Sequence, residues 1–500
     1  MKLLSFERLL LFFLIAISIV ATYISYTNNF VLTYNDAASH LNIGRRVVDS
    51  LTPGIAQIGT VWLPLPHVLM IPFAVNDVLW NTGLAGSIVS MLAYIFSTVA
   101  IYKLLKLITN NVYGAVIGAA VFALNPNLLY FQSTPMTEPL LLASIIVAIY
   151  YFVKYIKGSA LVDLILCAIF VSASTLIRYD GWFLFLSLSL LIPFLNLFLK
   201  GRRKAESALV LFLSLGGLGI FLWFLWNLTI FGDAFYFISG PYSAAAQQKV
   251  LKSVGQLPTQ GNVLTASFYY MWSVIENNGL FITIGAVLGL FITPFILKNK
   301  SMIVVVGALL TPIIFNIIAL FMGQSAMNIL QAPDNPGLFN IRYGMMALPA
   351  IAIILGIVAT NKYLRILVVA LVLFQSVLFF QQGQPITLRD GLGGLKNTYY
   401  TIEASAWLKE NYEGGLILTS LASHDAFVAR TQIPMKNYIH EGTREYWHNA
   451  LKQPSKDATY ITVLTDPPDL VYRDIIKTQD FKDNFVLIHS YGKFEIYKKR

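Results

Sequence analysis

The sequence predicts an α-helical polytopic membrane protein with about eleven transmembrane helices and a small C-terminal extracytoplasmic α/β domain. Hydrophobic residues make up 56% of the 500-residue chain and charged residues only 12%, outside the usual range of soluble globular domains. Mean hydropathy is correspondingly high, at +0.66. Long apolar runs recur as far as residue 383, and from about residue 384 the composition becomes that of a soluble domain.

The apolar runs define the predicted transmembrane helices, each of which needs about 20 residues to cross the hydrocarbon core. They lie at residues 8–26, 84–108, 112–124, 139–156, 160–177, 181–199, 207–230, 279–297, 302–322, 343–360 and 363–380. The third run is too short to cross unless it extends towards Asn127. The first run follows Lys2 and Arg8 but precedes no small-residue cleavage site, which predicts a retained signal anchor.

The basic residues of the short loops predict the orientation, because lysine and arginine are retained on the cytoplasmic side. One alternating set of loops carries most of them: Lys2, Arg8, Lys103, Lys106, Lys154, Lys157, residues 200–204, Lys298, Lys300, Lys362 and Arg365. We therefore expect a cytoplasmic N-terminus and an external domain at residues 384–500. The transmembrane domain, residues 1–383, then has external loops at 27–83, 125–138, 231–278 and 323–342. Because the net charge of +10 is spread between spans, it does not indicate nucleic-acid binding.

The C-terminal segment has the pattern of an α/β domain. "EASAWLKENY" has helical spacing, "GLILTS" and "YITVL" are typical of short buried strands, and "FVLIHSYGKFEIYKK" predicts a closing hairpin with its turn at "YGK". It contains no glycine-rich phosphate loop, HExxH or GxSxG motif. The sequence therefore assigns no catalytic role to this domain.

Four ionisable residues are predicted at outer ends of spans, where charge is costly unless it is paired or functional. They are Asp36, Glu138, Arg178 and Arg342. Structural alternatives stay open for three of them. Asp36 could cap a helix, Glu138 could favour a helix start electrostatically, and Arg178 could pair with the neighbouring Asp180. Arg342 has no carboxylate beside it in the sequence.

The stretch "YNDAASHLNIGRRVVDS" places several charges in the first external loop. The predicted external position excludes a topology role for Arg45 and Arg46. If the segment is helical, His40 shares a face with Asp36, which would suit a metal or acid/base pair as well as a hydrogen-bonded surface histidine. We predict that Asp36 is a catalytic base and that Arg45, Arg46 and Asp49 organise the helix that carries it.

These residues resemble the motifs of the C-type (GT-C) glycosyltransferase superfamily, which includes protein O-mannosyltransferases, the aminoarabinose transferase acting on lipid A, and oligosaccharyltransferase. The matching features are Asp36 soon after the first span, Glu138 in "STPMTEP", and "NIRYGMMALP" before a late span, followed by an external domain. The resemblance covers the layout of the whole chain through short motifs. It departs at Asn35-Asp36, where the mannosyltransferases have a paired Asp-Glu.

The resemblance implies a membrane glycosyltransferase, moving a sugar with inversion from a polyprenyl-phosphate donor to a lipid, glycan or protein acceptor on the extracytoplasmic face of the cell membrane. Asp36 and Glu138 are the expected catalytic residues and Arg342 and Arg178 the expected phosphate ligands, because the guanidinium fork matches phosphate geometry. His40, Tyr343 and Asp180 are candidates for acceptor binding or site support. Glu138 would orient the acceptor or help Asp36 to hold a divalent ion, although we predict no metal site.

Two other classes stay open. A transporter or flippase of lipid-linked sugars should contain inverted repeats and interrupted helices, neither of which is evident in the sequence. A non-catalytic envelope assembly protein could use its C-terminal domain for binding, but would not need acids and arginines at outer span ends.

Overall fold

The structure is a computed structural model that describes residues 6–500 except 61, 241–242, 254, 298 and 333–336. Lys2 and Lys298, two of the charges used to predict orientation, lie outside the described residues, as do parts of the predicted loops 231–278 and 323–342. The described chain is mainly helical, with one small sheet near the C-terminus.

The helices follow one another along the whole chain. The first fourteen are α1 (Phe6–Thr27), α2 (Asn35–Arg46), α3 (Leu65–Ala74), α4 (Asp77–Thr82), α5 (Leu84–Thr109), α6 (Val112–Ala123), α7 (Pro126–Phe131), α8 (Glu138–Gly158), α9 (Leu161–Thr175), α10 (Asp180–Lys200), α11 (Arg202–Gly216), α12 (Leu218–Phe231), α13 (Tyr236–Ser239) and α14 (Ala244–Ser253). The others are α15 (Val263–Asn278), α16 (Leu280–Ile296), α17 (Lys300–Gly307), α18 (Thr311–Phe321), α19 (Leu348–Val358), α20 (Lys362–Gln382), α21 (Ile386–Asn397), α22 (Tyr399–Asn411), α23 (Leu421–Thr431), α24 (Glu445–Lys452), α25 (Pro454–Asp457), α26 (Leu470–Ile475) and α27 (Gln479–Asn484). Short 3₁₀ helices cover Ile55–Ile58, Ala308–Leu310, Ile341–Ala347, Met435–Asn437 and Glu441–Thr443.

The length and apolar character of the helices confirm a polytopic membrane protein. Among the described residues, eight helices are long and apolar enough to cross a bilayer, or nine if the pair α15 and α16, bent by 113°, forms one span. The predicted number of eleven is not confirmed. Two of the predicted spans, 112–124 and 160–177, correspond to α6 and α9, which have only 12 and 15 residues.

Local sequence explains several helix boundaries. Asparagine side chains accept backbone N–H bonds at the starts of α6, α7, α15 and α20, satisfying donors that the first turn of a helix leaves open. Gly279 separates α15 from α16 with φ +87°, a conformation that L side chains rarely adopt. An added Cβ there would also lie 2.2 Å from Gln375 Cδ, so this break needs glycine.

The chain divides into two compact units. The first unit contains residues 1–30, 60–66 and 87–390, and the second contains residues 31–59, 67–86 and 391–500. The first therefore includes nearly all of the long apolar helices, and the second includes the sheet. The domain boundary at residue 384 stays a prediction; the sequence did not indicate that two early segments belong to the second unit.

The sheet of the second unit has five strands in the order β2-β1-β3-β5-β4. The strands are β1 (Ile417–Leu418), β2 (Tyr438–Ile439), β3 (Tyr460–Leu464), β4 (Phe485–Tyr491) and β5 (Phe494–Lys499). β1 pairs in parallel with β2 and β3, whereas β5 pairs antiparallel with β3 and β4. The segments predicted as strands form strands here, and the final two make the expected hairpin.

Two hydrophobic clusters lie on opposite faces of the sheet, because alternate strand residues point to opposite sides. Ile417 and Tyr460 belong to one cluster, and Leu418 and Ile461 belong to the other. The first cluster also contains four residues from the early segments of the chain: Leu41, Ala74, Trp80 and Ala85. The α2 region is therefore part of the core of the second unit rather than an isolated loop.

Candidate active site

The first unit brings together four charged side chains that are far apart in the sequence. We call Glu138, Arg178, Asp180 and Arg342 the arginine cluster. Arg342 Nε donates to Glu138 Oε1 at 3.0 Å, and Arg178 Nη1 donates to the same oxygen at 3.2 Å. Arg178 Nε also donates to Asp180 Oδ2 at 3.2 Å. Two guanidinium groups and two carboxylates therefore form one charge-balanced network.

The carboxylate of Glu138 lies at the centre of this network. It is the first residue of α8 and is fully buried. Its other oxygen, Oε2, has no hydrogen-bond partner among the described residues. Arg342 has no carboxylate beside it in the sequence, but it contacts Glu138 from 204 positions away. Residue order along the chain could not reveal that contact.

Asp180 is held from two directions. It is buried in the first turn of α10, where it accepts from Arg178, and Asn316 Nδ2 donates to its Oδ1 at 3.3 Å. The ion pair considered for Arg178 therefore exists, but it coexists with the contact to Glu138. Burial lowers the pKa of Arg178, but Asp180 and Glu138 raise this pKa more, so it lies above the usual value and the guanidinium stays charged.

The backbone that carries Arg342 is fixed by the end of α15. Arg342 belongs to the 3₁₀ helix Ile341–Ala347. Asn277 Nδ2 donates to Ile341 O at 2.7 Å, and Asn278 Nδ2 donates to Gly344 O at 3.1 Å. An added Cβ at Gly344 would lie 2.2 Å from Ser273 O, so the two segments are in close contact. These asparagines thus hold the backbone on both sides of Arg342.

The aromatic ring of Tyr343 lies beside both arginines. Arg178 Cζ is 5.0 Å from the ring centroid, and Arg342 Cζ is 5.2 Å from it. A guanidinium at this distance from an aromatic ring is attracted to it. Tyr343 therefore packs against the arginine cluster, and its role in acceptor binding or site support stays a prediction. The exposed fractions of the side chains are 20% for Arg178 and 6% for Arg342, so Arg178 is the more accessible of the pair.

In the second unit, Asp36 lies in the first turn of α2 and is half-buried. The predicted helix over this stretch is observed from Asn35 to Arg46. The N-cap residue is Tyr34, and its side chain makes no capping hydrogen bond. Asp36 is therefore one position inside the helix start, which weakens the alternative that it serves as the cap. Its role as a base stays a prediction.

His40 contacts His67 rather than forming an isolated surface contact. His40 Nδ1 lies 2.9 Å from His67 Nε2, and both residues are buried. Burial lowers the pKa of His67 well below its usual value, and His40 and Arg46 lower it further. A neutral His67 can share one proton with His40 in this pair. The two histidines are separated by 27 positions, and no sequence pattern predicts their contact.

Arg45 and Asp49 stabilise the end of α2. Arg45 Nη2 lies 2.8 Å from Asp49 Oδ2 and 2.6 Å from Asp77 Oδ1. Arg45 Nη1 donates to the carbonyl oxygens of Ala74 and Val75, at the end of α3. The guanidinium also lies 4.7 Å from the centroid of the Trp80 ring. Arg45 therefore ties α2 to the end of α3 and to α4.

Two further contacts extend this support. Arg46 Nε donates to Gln57 O at 2.5 Å, and Asp49 accepts from the backbone N–H groups of Met435 and Lys436. These contacts connect the end of α2 to Gln57, Met435 and Lys436, and the organising role of the charges in catalysis stays a prediction.

The described residues contain no group of three or more His, Cys, Asp or Glu side chains arranged to hold a metal ion. Three positioning residues, Asn277, Asn278 and Asn316, were not predicted. They lie in apolar helices, where a polar side chain is itself a signal, since it must find a partner in the protein interior. That signal marks the residues but does not identify their partners.

The fold is that of the GT-C glycosyltransferases. ArnT, the aminoarabinose transferase of Cupriavidus metallidurans, has a crystal structure bound to undecaprenyl phosphate that aligns with a TM-score of 0.58 and 11% identity, over 97% of each chain. Its apo structure aligns with a TM-score of 0.58 and 12% identity over the same shares. The apo oligosaccharyltransferase of Archaeoglobus fulgidus aligns with a TM-score of 0.53 and 13% identity, over 92% of this chain and 70% of that chain.

A further structure of this archaeal oligosaccharyltransferase, AglB, in complex with an inhibitory peptide and a dolichol-phosphate, has a TM-score of 0.50 and 12% identity, over 92% of this chain and 69% of that chain. At these identities the similarity establishes the fold. No protein-family model and no curated protein matches the chain.

Proposed function

We propose that this protein is a membrane glycosyltransferase that transfers a sugar from a polyprenyl-phosphate donor to an acceptor hydroxyl on the extracytoplasmic face. The observation that carries the proposal is the buried arginine cluster, with two guanidinium groups on one carboxylate oxygen, in a chain with the GT-C fold. A similar structure, that of ArnT, is bound to undecaprenyl phosphate.

The reaction is one displacement at the anomeric carbon of the donor. The acceptor oxygen forms a bond to this carbon while the bond to the phosphate oxygen breaks, so the configuration inverts. The acceptor proton passes to the carboxylate of Asp36, and the departing polyprenyl phosphate gains negative charge. Positioned proton transfer contributes typically about 10²- to 10⁴-fold in rate.

Arg342 and Arg178 stabilise the charge on the departing phosphate. A planar guanidinium can donate two parallel hydrogen bonds to phosphate oxygens, and such charge-assisted bonds are strong in a dry site. Arg342 contacts Glu138 through Nε, and Arg178 contacts Glu138 through Nη1 and Asp180 through Nε. Glu138 orients both arginines in this proposal, which refines the acceptor-orienting role expected from the sequence.

The direct test is sugar transfer by the purified protein. A panel of polyprenyl-phosphate sugars, each labelled in the sugar, would be incubated with the protein in lipid vesicles that contain extracted envelope acceptors. We expect labelled product and equimolar polyprenyl phosphate, with inverted anomeric configuration by NMR. Complete absence of release and transfer with every donor would reject the proposal.

The Asp36→Asn variant tests the assignment of the base. Asparagine can occupy the first turn of a helix but cannot accept the proton, so turnover should fall at least about a hundredfold while donor binding persists. Asp474→Asn is the matched control, because Asp474 is an exposed aspartate on α26 of the same unit. Near-normal turnover in Asp36→Asn would remove Asp36 from catalysis.

One observation favours the transporter alternative, namely the 113° bend between α15 and α16. Interrupted helices of this kind line substrate sites in many transporters. In this protein, however, the residues at the break position the backbone around Arg342. Translocation of a fluorescent lipid-linked sugar without any sugar transfer would favour the transporter, whereas transfer supports the enzyme.

A further inference from the structure

An apolar crevice lies between α1 and α5 in the first unit. Its volume is about 780 Å³, and its lining includes Leu11, Ile15, Ile19, Leu92, Ile95 and Phe96. Along α1 the lining extends from Glu7 to Ile19, which corresponds to about 18 Å of helix. One leaflet of a hydrocarbon core is about 15 Å thick. The crevice therefore has the length of a lipid acyl chain.

The crevice exists because α1 is attached to the protein along only part of its surface. Ser18 Oγ donates to Gln132 at 2.6 Å, and Ser133 Oγ donates to Ser25 Oγ at 2.7 Å, so polar contacts hold the middle and C-terminal half of α1. Only 22% of the α1 span is buried within the protein, against 94% of Ile341–Val358. The apolar surface left between α1 and α5 must be covered from the bilayer, because water is excluded at that depth.

The N-terminal end of the crevice is basic. Glu7, Arg8 and Lys103 line this end, and Lys106 lies beside it, with its Nζ 3.8 Å from the carboxylate of Glu7. Arg8 and Lys103 are exposed and have no ion-pair partner among the described residues. Three cations and one carboxylate leave a net charge of +2 at the point where a lipid headgroup would lie. Basic pockets between transmembrane helices are a known form of anionic-lipid site.

We propose that this crevice binds one anionic phospholipid, with an acyl chain along the apolar faces of α1 and α5 and the phosphate against Arg8 and Lys103. The lipid fills the gap that the weak packing of α1 leaves open and supplies the negative charge that the basic end lacks. In the orientation predicted from the sequence this lipid belongs to the cytoplasmic leaflet. The inference rests on the crevice and its charges, and it does not depend on the proposed transferase activity.

Native mass spectrometry of the purified protein can test this site by titration with phosphatidylglycerol and, separately, with phosphatidylcholine of the same acyl chains. We expect one phosphatidylglycerol to bind in preference to phosphatidylcholine. In the double variant Arg8→Ala/Lys103→Ala this preference should fall roughly thirtyfold, because two basic residues that attract the anionic headgroup are removed. Arg203→Ala/Lys204→Ala is the matched control, since both residues are exposed and basic and neither lines the crevice.

A second variant tests the apolar part. Ile95→Trp should fill the crevice and weaken retention of both lipids, while the melting temperature reports whether the protein remains folded. Equal binding of the two lipids by the wild type would overturn the proposal, as would unchanged phosphatidylglycerol preference in Arg8→Ala/Lys103→Ala. An equal loss of phosphatidylglycerol preference in Arg203→Ala/Lys204→Ala would show that the preference comes from general surface charge, and this result would also overturn the proposal.

Discussion

Removal of Arg342 should have separate consequences for stability and for donor binding. Its side chain is 6% exposed and shares Glu138 Oε1 with Arg178. Arg342→Ala leaves one guanidinium against two buried carboxylates. Breaking a buried ion pair from one side costs about 3–5 kcal/mol, and because Arg178 still contacts Glu138 we expect about 3 kcal/mol here.

The double variant Arg342→Ala/Glu138→Gln separates the two effects. Replacement of Glu138 by the neutral amide removes the uncompensated charge, so at least half of the lost stability should return. Donor binding should not return, because the phosphate still lacks the guanidinium fork. Hydrogen bonds to charged groups are worth about 1.5–3 kcal/mol, which corresponds to a loss of affinity of roughly ten- to a hundredfold. Arg342→Lys should retain charge but not the fork.

Thermal unfolding in detergent would measure stability, and equilibrium binding of a short-chain polyprenyl phosphate would measure affinity. Arg203→Ala is the control, as an exposed arginine of the same unit. Wild-type affinity in the double variant would refute the contact between Arg342 and phosphate. Wild-type stability in Arg342→Ala would refute the energetic importance of its contact with Glu138.

Three further predictions concern topology, metal and pH. Protease treatment of intact spheroplasts should remove residues 384–500; protection of this segment until the membrane is opened would refute the external placement. Sugar transfer should survive exhaustive chelation, and restoration of lost activity by Mg²⁺ or Mn²⁺ would overturn the metal-free prediction. Burial and, to a smaller extent, the charge of Arg46 lower the pKa of His440 to about 3, against about 6.5 in the unfolded chain. Below pH 6.5 the unfolded chain binds a proton at His440 that the folded chain does not bind. The free energy of unfolding is therefore unaffected by this histidine above pH 6.5 and decreases as the pH falls towards 3. The His440→Gln variant should show a shallower decrease in melting temperature between pH 7 and pH 5.

Features with a local signal could be predicted from the sequence. The long apolar helices, the helix over Asn35–Arg46 and the hairpin of β4 and β5 each have a hydropathy pattern or a turn sequence of their own. The contact between Arg178 and Asp180 was also foreseeable, because the two residues are two positions apart. The two-residue strand β2 was not predicted, whereas the equally short β1 was, because β1 lies in the longer strand-like run "GLILTS".

The candidate site was only partly predictable, because its contacts depend on how the helices pack. Hydropathy indicates that Glu138 and Arg342 lie at span ends. It does not indicate that the guanidinium of Arg342 contacts the carboxylate of Glu138. The pairing of His40 with His67 depends in the same way on the packing of α2 against α3. The two helices are in close contact at Gly44. A Cβ added to this glycine would lie 3.2 Å from His67 O.

Because the second unit contains early and late segments of the chain, it restricts the number of membrane crossings between them. Leu41 and Trp80 share one packed core with Phe427 and Ile496, and a bilayer cannot divide such a core. Residues 86 and 391 must therefore emerge on the same face, and the chain between them must cross an even number of times. Seven of the eight long apolar helices among the described residues follow the first one, which is an odd number. An even total then requires either one further crossing, from the bent pair α15 and α16 or from the short helices α6 and α9, or one long apolar helix that does not cross.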